Sequence, residues 1–129
     1  MSKNNGHQFV KNADASFAFG DIVDNVFLGL IDLPVGAQAI GGRLIIDTVF
    51  DSTTNPIDVG DGVSVNRYKG AVDGKAAALT ALVPTGYKTL STSRTIGITM
   101  NFTGANPTAG AGRLEVEYVV DGAADFNQR

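Results

Sequence analysis

The strongest constraint on this chain is a period-two alternation in two stretches of its second half. In the first, Ile96, Ile98, Met100 and Phe102 take every second position, with Gly97, Thr99 and Asn101 between them. In the second, Leu114, Val116, Tyr118 and Val120 alternate with Arg113, Glu115 and Glu117. Successive side chains of a strand point to opposite faces, so each stretch buries one face and leaves the other in water. The pattern predicts antiparallel strands packed on one side, with Thr99 on the wet side. It builds a core and positions no reactive group.

The rest of the chain reads as further short strands separated by turns. From Ile22 to Ile31 the apolar set is nearly continuous, with Ile22, Val26, Leu28 and Leu30 on one parity and Val23, Phe27 and Ile31 on the other. A strand of this kind is expected to be covered on both faces, inside a sandwich or at a subunit contact, which makes Phe27 and Ile31 candidate interface residues. Leu33-Pro34-Val35-Gly36 stops it, and Gly41-Gly42 launches a strand from Arg43 to Phe50. Ile57 to Val59 and Val63 to Tyr68 are expected strand pieces on either side of Gly60-Asp61-Gly62. Asp-Gly steps at Asp61, Asp73 and Asp121 set turns at short spacing. Ala76 to Val83 reads as a loop with a short strand or helical turn, because eight residues make a marginal helix even when alanine-rich. About eight strands and no convincing helix predict an all-β chain, a β-sandwich of jelly-roll or Greek-key type. The division predicted is a flexible N-terminal arm over residues 1–15 and a single sandwich over 16–129. Met1 to Asp14 is polar and suits either a frayed tail or an arm that docks on a neighbour through Phe9 and Val10.

Composition narrows the function by exclusion. With 129 residues the chain fits one domain, and 16 glycines with only 18% charged residues suit a turn-rich β fold. Having no cysteine, it forms no disulfide and no thiolate metal site. A net charge of −3 with no basic run argues against a nucleic-acid partner. No stretch reaches the roughly 18 apolar residues of a membrane helix, so no membrane partner is expected. Met1 to Gln8 lacks the apolar segment of a secretory signal, and synthesis in a cytoplasm is expected. His7 is the sole histidine and lies in the polar segment, away from any nucleophile or ligand set. Asp58 and Asp61 miss the spacing of a calcium loop, and Asp47 with Asp51 lacks the aromatic cleft of a glycosidase. No glycine motif follows a strand and opens a helix to hold phosphate. No enzyme activity, metal or cofactor is therefore expected. Arg43 and Arg113 stand at strand starts, where a planar donor can bridge to carboxylates of another subunit, or pair within the chain with Glu115, Glu117 or Asp47.

Several segments carry a resemblance. Leu33-Pro34-Val35-Gly36-Ala37-Gln38-Ala39-Ile40-Gly41-Gly42-Arg43-Leu44, Val59-Gly60-Asp61-Gly62 with Arg67-Tyr68, Leu82-Val83-Pro84-Thr85-Gly86-Tyr87, and Pro107 through Gly122 together resemble the jelly-roll cement or decoration proteins of tailed bacteriophages. The resemblance runs from about Leu33 to Phe126. It implies a virion structural protein on the capsid exterior, a homo-oligomer (dimer or trimer) that binds the major capsid protein and clamps neighbouring shell subunits against internal DNA pressure. The alternative is a ligand- or receptor-binding jelly roll of a phage fibre or spike. The lack of Trp and the presence of only Tyr68, Tyr87 and Tyr118 weaken that alternative, since sugar platforms favour aromatic faces.

Overall fold

A computed structural model of the chain describes residues 10–120. They form eight strands: β1 (Lys11–Ala18), β2 (Leu28–Asp32), β3 (Ala37–Thr48), β4 (Pro56–Asp61), β5 (Lys69–Asp73), β6 (Leu79–Ala81), β7 (Thr95–Met100) and β8 (Ala111–Val120). A single 3-10 turn, Phe19–Asp21, follows β1. The strands make two four-stranded antiparallel sheets, ordered β1-β8-β3-β6 and β2-β7-β4-β5. Apart from the β4-β5 hairpin, strands adjacent in sequence fall in different sheets, and the result is a β-sandwich of jelly-roll type.

The alternation in β8 does what it predicts. Leu114 and Val116 are fully buried and face Leu44, Ile46 and Phe17 of the same sheet, while Arg113, Glu115 and Glu117 point away from the core. Across the sandwich stand Ile31, Ile57, Val59, Ile96, Ile98 and Met100. Burying each such side chain stabilises the fold by about 1.5–3 kcal/mol before entropy is counted. Phe17 and Phe50 stack with ring centroids 6.1 Å apart and close one end of the core.

In β7 the alternation holds on the core side only. Thr99, expected in water, is 4% exposed. Gly97 pairs with Gly29 of β2 on one side and with Gly60 of β4 on the other, so three glycines form a row across the outer face of this sheet. A Cβ on Gly60 would collide with the Ser64 carbonyl, which places the 62–67 loop directly on the row, and the Phe27 ring reaches both Gly29 and Gly62. Loops crossing a strip without side chains cover the second face of β7. Alternation alone carries no information about such a cover.

Four expectations need correction. Residues 11–15, read as part of the arm, are strand residues paired with β8 from Lys11↔Tyr118 to Ala15↔Leu114; Ala13, Ala15 and Phe17 supply a small inward parity. The apolar run from Ile22 is a strand only from Leu28 onward. Asn25 adopts a left-handed conformation (φ 60°) and Val26 closes a turn on Val23, a bend that Asn tolerates better than other side chains. Val63 to Tyr68 is not a strand, because the Asp61 carboxylate accepts the Val63 and Ser64 N–H groups at 2.9 and 2.7 Å and curls the chain. Gly41 and Gly42 lie within β3 beside a bulge, and do not start it.

Candidate interaction surface

Each acidic residue that could suggest chemistry has a structural task. Asp61 is completely buried and, besides its two backbone contacts, accepts the Arg67 Nε–H at 2.6 Å. Burial works against the Arg67 charge, yet the hydrogen bond and charge of Asp61 more than offset it and raise the guanidinium pKa. That guanidinium lies 3.5 Å above the Tyr87 ring, and the Tyr87 hydroxyl hydrogen-bonds Ser93 Oγ at 2.7 Å. Asp58 accepts the Ala71 N–H at 2.9 Å, at a residue whose φ is 55°. Asp51 holds the far connector by accepting from Thr108 Oγ1 at 2.6 Å and from the Thr108 N–H at 2.8 Å, contacts that lower its pKa. Among the described residues no group of His, Asp and Glu is arranged to hold a metal ion. His7 lies outside the described residues.

Of the residues expected at an interface, Phe9 also lies outside the described residues. Val10 immediately precedes β1 and is exposed. Ile31 is 5% exposed and belongs to the core, because the bulge between Gly29 and Ile31 turns it inward. Phe27 is half-buried over the glycine row. Arg43 and Arg113 both pair within the chain. Arg43 reaches Glu115 at 2.6 Å and Glu117 at 3.9 Å, and Arg113 reaches Asp47 at 3.1 Å and Glu115 at 3.4 Å. The Asp47 hydrogen bond, then its charge, raises the Arg113 pKa. All these groups are on the outer face of the β1-β8-β3-β6 sheet, where exposed ion pairs stabilise by at most about 1 kcal/mol.

The structure adds residues that the sequence reading missed. Val23, Val26, Val63 and Val65 are all exposed, on the two loops that Phe27 links across the other sheet. Their signal in the sequence was an apolar residue beside a turn former, as in Asp24-Asn25-Val26 and Gly62-Val63. The contact between the loops depends on β2 and β4 flanking β7, a long-range pairing that a local pattern does not encode.

No family model matches the chain, and no curated protein matches it. Solved structures do. A chain of the cyanophage Pam1 capsid asymmetric unit superposes with a TM-score of 0.73 at 23% identity, covering 93% of this chain and 91% of that one. A chain from the acid-stable capsid of Helicobacter pylori bacteriophage KHP30 gives 0.61 at 24% identity, covering 88% and 90%. A chain of the Ralstonia phage GP4 capsid gives 0.57 at 14% identity, covering 93% and 90%. The fold of this chain is thus one found in phage capsids.

Proposed function

We propose that this protein is a structural component of a phage virion that binds the outer surface of the capsid and stabilises contacts between shell subunits. The observation that supports the reading is the likeness in fold to the cyanophage capsid chain over nearly the whole of both chains. The acidic side chains already engaged in turns and ion pairs fit a role without chemistry. In this reading the partner is the major capsid protein, and the chain acts as a dimer or trimer so that weak individual contacts add up through multivalency. The exposed valines at 23, 26, 63 and 65 are the apolar surface best placed for such contacts. Residues 1–10 are proposed to serve as an arm that touches a neighbour, so that deleting Met1 to Val10 spares folding and weakens association.

Purified protein is expected to co-sediment with capsids that lack it and to raise the temperature at which they release DNA. No co-sedimentation at micromolar concentration, or localisation to tail fibres alone, overturns the proposal in favour of the ligand-binding alternative.

A further inference from the structure

Two sheets present four edge strands, and three of them are blunted. β6 has three residues; β5 is interrupted by a register shift between Ile57 and Val59 of its partner and by the left-handed Ala71; β2 carries the bulge between Gly29 and Ile31. Short, kinked or bulged edges keep other chains from adding to a sheet. β1 has none of these features. It runs eight residues in unbroken register, Lys11↔Tyr118 to Ala18↔Ala111, with no proline and no bulge. The ladder continues one step further in Phe19 N–H to Gly110 O at 2.9 Å, which assigns the odd-numbered residues to β8 and turns the backbone groups of Asn12, Asp14 and Ser16 outward. Ala18 also faces outward, but the Asp21 carboxylate takes its N–H at 2.9 Å. Among the described residues, the six remaining N–H and C=O groups of Asn12, Asp14 and Ser16 meet no partner and form an open edge. Two surface hollows flank this strand, one bordered by Ser16, Asp21 and Arg113, the other by Asn12, Asp14 and Glu117.

Charge selects the occupant. Across the outer face, register aligns Asp14 with Glu115 and then Arg43, and sets Asn12 beside Glu117. Both arginines of this face, Arg43 and Arg113, are turned to Glu115, Glu117 and Asp47, while Asp14 makes no ion pair among the described residues. The rim of the edge is therefore acidic. A second copy is a poor fit: antiparallel pairing of two β1 strands through all three open residues sets Asp14 directly opposite Asp14, and like charges facing each other destabilise a strand pair. We infer that the β1 edge receives an extended segment of a different protein, one that carries Lys or Arg on alternate residues so that a cation faces Asp14. Main-chain hydrogen bonds would supply its affinity and the carboxylates its selectivity. The inference does not depend on the capsid reading, and its test needs no capsid.

The probes are two capped heptapeptides, Thr-Lys-Val-Lys-Val-Lys-Thr and the same sequence with Glu for Lys, titrated into the full-length protein while amide exchange is followed by NMR. In the free protein the Asn12, Asp14 and Ser16 amides should exchange fast and those of Ala13, Ala15 and Phe17 slowly. The Lys peptide should protect the three outward amides at millimolar concentration or below, and the Glu peptide should not. Asp14→Lys should weaken binding about tenfold. Ser16→Pro removes an outward donor without touching the β8 ladder, and should abolish binding with the fold intact; Asn12→Pro serves if that variant unfolds. Outward amides already protected in the protein alone, no protection by millimolar Lys peptide, or equal binding of both peptides each overturns the inference.

Discussion

Tyr68 is 2% exposed and its hydroxyl meets no partner among the described residues, so the fold carries a buried donor whose desolvation costs about 1–3 kcal/mol. Tyr68→Phe should therefore match or exceed the wild type at pH 7 by up to about 1 kcal/mol in urea unfolding. Burial, then the Asp61 charge, raises the Tyr68 pKa above 10.0. The sign follows from linkage: the folded state keeps the phenol proton after the unfolded chain has lost it, so stability is intact below about pH 10 and falls as pH climbs from there towards the raised folded value. The Phe variant should show a shallower alkaline loss, and parallel pH profiles for the two proteins would refute this assignment. Ile98 and Thr99 make a second pair at this scale. Alternation alone expects Thr99 to tolerate a charge, but it is buried, with its hydroxyl unpartnered among the described residues. Ile98→Asp and Thr99→Asp should each cost several kcal/mol by thermal unfolding, since either strands a carboxylate away from water.

Among the elements, β7 and β8 were legible in the sequence because their inward residues are large and strictly alternate. β1 was not: Ala13 and Ala15 are too small to register as apolar, and Lys11, Asn12 and Asp14 read as tail. The 22–27 segment misled in the opposite sense, since Ile22, Val23 and Val26 look like strand, and only the Asp24-Asn25 step marks the turn. The candidate surface was half legible. Arg43, Arg113 and their three carboxylate partners could be named from strand positions, whereas the loops meeting at Phe27 and the openness of β1 arise from strand order, which no local pattern contains. The glycine row tests the sheet built on β7. A Cβ at Gly97 would strike the Leu28 carbonyl, while one at Gly20 meets nothing within 4 Å. Gly97→Ala is expected to lose about 3 kcal/mol or to unfold, and Gly20→Ala to stay within about 0.5 kcal/mol of wild type, by chemical denaturation.

At the scale of the whole molecule, the sandwich keeps its apolar interior between the sheets and leaves valines at the loop ends of one of them. Val26→Ser with Val63→Ser should leave the melting temperature within a few degrees, since both side chains are mostly in water, while weakening co-sedimentation with capsids at least fivefold. Unchanged binding would move the contact surface elsewhere on the molecule. The strand order has a consequence for biosynthesis. β1 pairs with β8 alone among the described strands, and β3, which also meets β6, makes its longer ladder with β8, so the first strand finds its sheet partner only when β8 has been made. At roughly 5–20 residues per second, translating the stretch between them takes on the order of 5–20 s. Throughout that interval Phe17 lacks the strand beside which β1 holds it in the sheet. The first sheet cannot close before β8 exists, and until then β1 is a free ribbon open to the wrong partner.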